Sequence, residues 1–374
     1  MQVKLRFDGR VPPRCPCCNQ TLPKNKKGQN IARDLPLLDA KVTFIIFPTI
    51  QGRCKSCNAF VTTRPKEIHP TKDATMRFMR SISSWASVAP ANQIAKRFAV
   101  SDGTVRNYDK AVLEMDTPEP CFDDLRAILV DEKSVLKNHH YVTIVINADN
   151  GELLHMYGGK KKESLDAFFE KLTAKQRSSV QAVGMDRAGS YKKSVEQYLP
   201  HADIVYDRFH LMMNINKAVD DVRRSEWNRV DLDKKKVIKN SRYLLLSKQT
   251  KLDNLKLNRL ASLIKVNEGI CTAYLIKEQF SCVYEQVDVE HSKRRLEEWC
   301  QMTLMSKLKP FERLGRSFMR GSKQIVSYAK HRLTSGRIEG FNNLIARIVH
   351  RACGIRDLDY LYARLRYESV MLHV

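Results

Sequence analysis

Ile128-Leu129-Val130-Asp131-Glu132 is the stretch from which the rest of the chain is best interpreted. Its apolar run is typical of a short strand that is buried on both faces of a sheet. The run stops at two carboxylates, where we expect the strand to end and the chain to leave the core. Acidic residues at a strand end are common in turns, but they also mark functional sites. Partners elsewhere in the chain decide between these two interpretations.

The composition indicates a polyanionic partner. The 374 residues carry 65 Lys and Arg against 41 Asp and Glu, which gives a formal net charge of +24. Nucleic acid is the natural partner for such an excess. No membrane partner is expected, because the sequence has no apolar span of about 18 residues. The length predicts two or three domains, and the N-terminus lacks the apolar core of a signal peptide.

Five of the ten cysteines lie within the first 57 residues. Cys15 and Cys18 form one C-x-x-C pair and Cys54 and Cys57 form another, an arrangement in which four thiolates surround Zn²⁺. A strand predicted at 41–47 between the pairs suits a zinc ribbon, and zinc would supply folding free energy to this small segment. Clustered cysteines without a secretory signal favour metal over disulfides. The compartment is therefore reducing, most simply a bacterial-type cytoplasm.

A helix-turn-helix motif is predicted after the zinc segment. The pattern indicates a short helix at 90–98, a turn, and a second helix at 103–110 with Ser101 or Asp102 as its N-cap. The second helix of such a motif enters the major groove of DNA. An ordinary pair of packed helices is the alternative. The residues expected to contact DNA are Lys96, Arg97, Thr104, Arg106, Asn107 and Lys110.

Beyond a linker at 117–120 the pattern changes to strands alternating with helices. Three antiparallel strands come first, with a hairpin turn at Asp149-Asn150-Gly151, and strand-helix-strand crossovers follow. This is the order expected of a ribonuclease H-like sheet. After the opening strand, the predicted strands are 141–147, 152–157, 180–186 and 202–207, and the predicted helices are 162–172 and 191–198.

The remainder of the chain is predicted to be helical. Residues 211–330 show helical spacing of Leu and Ile without a convincing strand, which predicts a helical domain inserted between the sheet and its last helix. That last helix begins after a Thr334-Ser335 cap. Glu339, Asn342 and Asn343 lie at positions i, i+3 and i+4 and form a polar face on it.

Three acids stand out: Asp131 and Asp186, each predicted to end a buried strand, and Glu339 on the late helix. Carboxylates are hard oxygen ligands that suit Mg²⁺. Two such ions can activate the attacking oxygen and stabilise the leaving oxygen of an in-line displacement. Three acids packed together without a metal would repel one another, so the set implies an ion. No phosphate-binding loop motif is present, so nucleotide-driven activity is not expected.

Several motifs together resemble the ISL-three insertion-sequence family of DDE transposases, over nearly the whole chain. They are the two cysteine pairs, the helix-turn-helix, VDEK (130–133), VGMDRAGSY (183–191), YDRFH (206–210) and SGRIEGFNNLIARIVHRACGIRD (335–357).

The resemblance implies a ribonuclease H-like catalytic domain whose Asp, Asp and Glu match Asp131, Asp186 and Glu339. It thereby selects Asp131 over Glu132. Neighbouring strand residues point to opposite faces, so we expect Glu132 to face away or to contact a neighbouring basic residue.

Accessory residues are also implied. Asp207 and His210 match a D-x-x-H motif of related enzymes, although a structural histidine is an equally good interpretation. Arg187 and Arg208 are expected to hold phosphates, and Asn342 and Asn343 lie beside the Glu.

The resemblance implies a transposase that binds the terminal inverted repeats of its element and target DNA. It would cleave phosphodiester bonds with Mg²⁺ or Mn²⁺, transfer the 3′-OH strand to target DNA and act as a homodimer or larger synaptic assembly at the bacterial nucleoid. A catalytically silent, domesticated DNA-binding regulator is the alternative, and a structure-specific nuclease without strand transfer is a third class.

The predicted fold class is multidomain α/β, with a ribonuclease H-like mixed sheet and an all-helical insertion. The predicted domains are a zinc ribbon (1–65), a helix-turn-helix domain (66–116), a linker (117–120), a catalytic domain (121–213 and 331–374) and a helical insertion domain (214–330).

Overall fold

The structure is a computed structural model that describes residues 1–6, 12–22, 26–136, 140–187 and 189–372. The fold is mixed α/β, with two sheets and many helices. Within the described ranges, no helix is long and apolar enough to cross a membrane.

The secondary-structure elements follow one another along the chain. They are β1 (Gln2–Lys4), β2 (Lys26–Asp34), β3 (Thr43–Arg53), β4 (Phe60–Thr62), α1 (Met76–Ala86), α2 (Ala91–Phe98), α3 (Asp102–Asp116), β5 (Ala127–Leu136), β6 (His140–Asn147), β7 (Leu153–Gly158), α4 (Lys162–Phe169), α5 (Ala174–Ser179), β8 (Ala182–Met185), α6 (Gly189–Tyr198), β9 (Asp203–Tyr206), α7 (Arg208–Arg229), α8 (Leu232–Ile238), α9 (Arg242–Leu246), a 3-10 turn (Gln249–Lys251), α10 (Asn254–Val266), α11 (Glu268–Gln279), α12 (Ser281–Glu285), α13 (Val289–Met305), α14 (Lys309–Arg320), α15 (Ser322–Val326), α16 (Tyr328–His331), α17 (Gly336–Arg351) and α18 (Leu358–Leu372).

The chain divides into two compact units. The terminal unit comprises Met1–Glu119 and Ile345–Val374, and the central unit comprises Pro120–Leu344. The segment 331–374, which the sequence assigns to one domain, contributes to both units. The sequence boundary between residues 213 and 214 falls inside the continuous helix α7.

The central unit contains a five-stranded sheet in the order β7-β6-β5-β8-β9. β5, β6 and β7 are antiparallel neighbours, whereas β8 and β9 run parallel to β5. The strands expected at 141–147, 152–157, 180–186 and 202–207 are thus confirmed, with shifted ends. Gly151, in the turn between β6 and β7, has a φ of 79°, as the predicted hairpin turn requires.

The end of the opening strand was predicted wrongly. β5 does not stop at Asp131 and Glu132 but continues to Leu136, because β6 pairs with it from Ile128 onward. On its other edge β5 pairs with β8 only as far as Leu129. A Cβ on Gly184, the partner of Leu129, would lie 2.5 Å from the Leu129 Cδ2 atom, so a side chain at position 184 would displace that of Leu129. Asp131 therefore lies where one edge of the strand has lost its neighbour.

Helix α4 covers one face of this sheet. Leu165, Phe168 and Phe169 are fully buried and pack in the same apolar cluster as Ile128 and Val130 of β5. Burying a large apolar side chain contributes roughly 1.5–3 kcal/mol. The helix predicted at 162–172 is thus confirmed, although it ends earlier, at Phe169. From α7 to α16 the central unit is helical, and no strand occurs among these residues, all of which the structure describes.

The terminal unit combines a small sheet with a helical cluster. The sheet has the order β1-β3-β2, with β4 pairing with β3. In the helical cluster α3 packs against α18, and between them lies the fully buried carboxylate of Asp109. Arg364 forms an ion pair with Asp109, and the Tyr360 hydroxyl donates a hydrogen bond to it. A buried charge without a partner would be strongly destabilising, so this pair fastens α18 to α3.

Candidate functional site

An acidic cleft of about 250 Å³ lies in the central unit. Among the described residues that line it, Lys133 is the one lysine and no arginine is present. Such a concentration of negative charge, on a chain with a net charge of +24, favours binding of a cation. The five carboxylates that line the cleft belong to Asp131, Glu132, Asp186, Asp207 and Glu339.

The sheet positions four of these acids, of which Glu132 follows Asp131 on β5. Asp131 lies on β5 beyond its last pair with β8, Asp186 directly follows β8, and Asp207 directly follows β9. Because β5, β8 and β9 are parallel, their carboxyl ends lie at one edge of the sheet, where sites form in open α/β sheets. The Asp207 carboxylate also caps α7 by accepting a hydrogen bond from the Phe209 N–H (3.0 Å).

Helix α17 adds Asn342 to the cleft, in contact with Asp131. The Asn342 Nδ2 atom donates to Asp131 Oδ2 (2.7 Å), and the Glu132 N–H donates to Asp131 Oδ1 (2.8 Å). Burial raises the pKa of Asp131 and the charge of Asp186 adds to the rise, while these two hydrogen bonds oppose it. The Asn342 Oδ1 atom is buried and receives no hydrogen bond from the described part of the chain.

Ser335 is a residue of this site that the sequence did not single out as functional. Its hydroxyl donates to Glu339 Oε1 (2.7 Å). Burial raises the pKa of Asp207, the hydrogen bond from the Phe209 N–H opposes this rise, and the charge of Glu339 adds to it. The spacing of Ser335 and Glu339, i and i+4 at a helix start, was the available signal. His210 also lines the cleft, with Nε2 at 3.7 Å from Asp207 Oδ2.

Glu132 differs from Asp131 in its partners. Its carboxylate lies 3.9 Å from the Lys160 ammonium, which is the expected contact with a basic neighbour. It nevertheless lines the cleft instead of facing away from it. The charge of Asp186 contributes to a raised pKa at both acids, after burial in each case, so electrostatics does not separate them. The hydrogen bond to Asn342, which lies on the same helix as Glu339, distinguishes Asp131.

Three candidate residues do not line the cleft. Arg187 donates to the Ser317 hydroxyl of α14 (2.8 Å), and Arg208 lies over the ring of Tyr284 (5.0 Å). Both cations thus contact the helical region. Asn343 is exposed on α17.

The cleft fits a hard cation by its donor chemistry. Mg²⁺ binds a few carboxylate or amide oxygens and retains several waters, so its protein ligands need not all touch. In the described residues, no three acids or histidines have ligand atoms all within 4.8 Å of one another. The buried carbonyl oxygen of Asn342, next to the Asp131 carboxylate, offers a further oxygen ligand.

The four cysteines predicted to bind zinc form a much tighter cluster in the terminal unit. The sulfur atoms of Cys15 and Cys57 are 3.7 Å apart, those of Cys18 and Cys54 are 3.5 Å apart, and all four lie within 4.8 Å of one another. A tetrahedral site with Zn–S bonds of about 2.3 Å has sulfurs about 3.8 Å apart. The cluster is therefore compatible with structural zinc.

Each cysteine pair lies in its own backbone loop, and the two loops have the same hydrogen bond. The N–H of Asn19 donates to the Cys15 carbonyl (2.9 Å), and the N–H of Asn58 donates to the Cys54 carbonyl (3.0 Å). Both asparagines have a positive φ, 58° and 60°, a conformation that Asn tolerates well. Cys17 is exposed and is not part of the cluster.

The predicted helix-turn-helix segment forms α2 and α3. Ser101 caps α3 by accepting a hydrogen bond from the Thr104 N–H (3.1 Å), and α3 extends beyond the expected end at 110. Lys110 is bound to Asp357 (3.0 Å). Four of the proposed DNA contacts are exposed, namely Lys96, Arg97, Arg106 and Asn107.

Known proteins are similar in sequence to this chain. A family model described as “Transposase”, for DDE enzymes of the ISL3 type, matches residues 128–365. The transposase for insertion sequence element IS1001 of Bordetella parapertussis is 27% identical over 340 residues, which cover 89% of this chain and 83% of that protein.

The transposase for insertion sequence element IS1557 of Mycobacterium tuberculosis is also similar. It is 27% identical over 265 residues, which cover 65% of this chain and 60% of that protein, in each of two strains. The family model alone spans more than half of the chain. The chain therefore belongs to the ISL3 family of DDE transposases.

Proposed function

We propose that this protein is the DNA transposase of an insertion sequence. It binds the terminal inverted repeats of its element, cleaves phosphodiester bonds with two divalent metal ions and transfers the 3′-OH strand to target DNA. One observation carries the proposal: Asp131, Asp186 and Glu339, which lie far apart in the sequence, line the same acidic cleft.

We propose a ribonuclease H-like catalytic domain. The order β7-β6-β5-β8-β9, with three antiparallel strands first and two parallel strands after them, supports this assignment. The helical region from α7 to α16 stands between Asp207 and Glu339 in sequence, which is the position of an insertion domain.

In the proposed mechanism Asp131, Asp186 and Glu339 would hold Mg²⁺ or Mn²⁺. When bound, such ions activate the attacking oxygen and stabilise the leaving oxygen of an in-line displacement. Asn342 orients the Asp131 carboxylate through its hydrogen bond, and Ser335 orients Glu339. We propose that His210, which lies beside Asp207, donates a hydrogen bond to a phosphate oxygen or orients the acid.

Recognition of the element ends is assigned to the terminal unit. Zn²⁺ in the four-cysteine cluster stabilises the ribbon. The exposed side chains of Arg106 and Asn107 on α3 suit base-edge contacts in the major groove, since Arg pairs with guanine and Asn with adenine. A homodimer or larger assembly brings two ends together.

The proposal is tested by incubating the full-length chain with labelled DNA that carries the ends of its element and with Mg²⁺. Nicked, doubly cut and joined products are expected, and EDTA should abolish them. A domesticated regulator would bind the ends without cleaving them. A nuclease would cleave but would not join a pre-cleaved end to a second DNA molecule.

A further inference from the structure

Helix α14 carries a stripe of basic side chains that has no assigned role. Its cations recur at intervals of four, three and four residues, so at 3.6 residues per turn they lie within an arc of about 60°. All of them are exposed. The basic stripe consists of Lys309, Arg313, Arg316 and Arg320.

The opposite side of α14 fixes the helix in place. Phe311 and Phe318 are fully buried on that side, and Gly315 lies against Thr303 of α13. Because α14 is held by this packed face, the direction of the basic stripe is set by the fold.

The charges of the stripe are largely uncompensated. The acid on α14 is Glu312, whose Oε2 lies 3.5 Å from Arg316. Lys309, Arg313 and Arg320 take part in no ion pair among the residues that the structure describes. In contrast, two exposed lysines of α8, Lys234 and Lys236, pair with nearby aspartates.

The C-terminal end of the stripe lies beside the acidic cleft. Arg187, which follows Asp186, donates to the Ser317 hydroxyl of α14 (2.8 Å). Gly321, at the end of α14, approaches Tyr206, which precedes Asp207: a Cβ there would lie 3.1 Å from the Tyr206 ring. The helix therefore contacts the ends of β8 and β9, two of the three strands that supply acids to the cleft.

We propose that the basic stripe binds the phosphate backbone of duplex DNA adjoining the cleft. The inference rests on the proposed function, because it extends the DNA contact of the same site. From Lys309 to Arg320 the helix rises about 16 Å, which matches roughly five base pairs at 3.4 Å each. Phosphate contacts of this kind position the duplex without reading its sequence.

The test compares two full-length variants that lose the same charge. The stripe variant is Lys309→Gln/Arg313→Gln/Arg320→Gln, and the control is Lys234→Gln/Lys235→Gln/Lys236→Gln. All six positions lie at or near the surface and glutamine is a good helix former, so both variants should fold, which a circular dichroism melt checks. Binding to a labelled 30-base-pair duplex of random sequence is measured across a salt series without divalent metal.

The stripe variant should reduce the slope of log K against log salt by about 2.7, since each lost phosphate contact removes about 0.9. The control should keep the wild-type slope, and Arg313→Lys/Arg320→Lys should keep it as well. A wild-type slope in the stripe variant overturns the inference. It does not affect the proposed function, which cleavage by the wild-type chain tests separately. Failure of the wild-type chain to bind the duplex at all overturns the proposed function too.

Discussion

The four-cysteine cluster and the acidic cleft are two candidate metal sites built in opposite ways. The cysteines come in two short pairs held by matching backbone loops, and their sulfurs already lie 3.5–3.7 Å apart across the site. The cleft draws its acids from separate segments, and protein donors from Asn342 and Ser335 occupy carboxylate oxygens. The first arrangement suits a closed site, in which four protein ligands surround a structural ion. The second suits an open site, in which the ions also bind water and substrate.

The largest expected effect is on the closed site. Cys54→Ser should abolish zinc binding and unfold the ribbon, because structural zinc contributes roughly 10–16 kcal/mol in small zinc-binding domains. Zinc content by atomic emission should fall from about one per chain to near zero, and residues 1–65 should become sensitive to protease.

Cys17→Ser is the matched control, since Cys17 is exposed and outside the cluster. It should retain full zinc content. Loss of zinc from this variant, or its retention in Cys54→Ser, would show that the cluster is wrongly assigned.

At the open site, Asp131→Asn should reduce the rate of Mg²⁺-dependent cleavage by at least about a hundredfold and leave the fold intact. Removing one electrostatic contact that stabilises a transition state typically has an effect of this size. Glu132→Gln should have a much smaller effect, because Glu132 contacts Lys160 and not Asn342. Single-turnover cleavage of labelled ends measures both variants. The opposite ranking would move the catalytic role to Glu132.

A smaller effect is expected from the residue that orients Asp131. Asn342→Ala should raise the Mg²⁺ concentration for half-maximal cleavage by about tenfold, because partners that hold a metal ligand typically contribute 10–100-fold to metal affinity. Asn343→Ala, at the exposed neighbouring position, should leave this concentration unchanged. Equal metal requirements in the two variants would mean that Asn342 does not position the metal ligand.

The two sites also differ in how far the sequence predicts them. The cysteine site is encoded locally, so two C-x-x-C pairs suffice to predict its ligands. Strand patterns and a family resemblance indicated the acids of the cleft. They did not predict that β5 continues past Asp131 to Leu136. That course depends on unequal pairing of its two edges with β6 and β8, which no single stretch of sequence records.

The buried pair of Asp109 and Arg364 was missed for a similar physical reason. Asp109 lies on a helix where an aspartate usually faces water, and its partner is 255 residues away. The sequence pattern therefore predicted the start of α3 but gave no indication that α18 packs against this helix. Only the packed structure reveals which charges are buried together.

The attachment of α18 to α3 has a consequence for damaged copies of the gene. A frameshift or stop codon between codons 110 and 364 removes Arg364 together with part or all of α18, and so uncovers the face of α3 that carries Asp109. The buried Leu365 is lost with it, and burial of one large apolar side chain contributes roughly 1.5–3 kcal/mol, a large part of the stability of a small domain. If the terminal unit recognises the element ends as proposed, a gene truncated at its 3′ end would thus lose end binding together with cleavage. Its product would not occupy the ends in competition with intact copies.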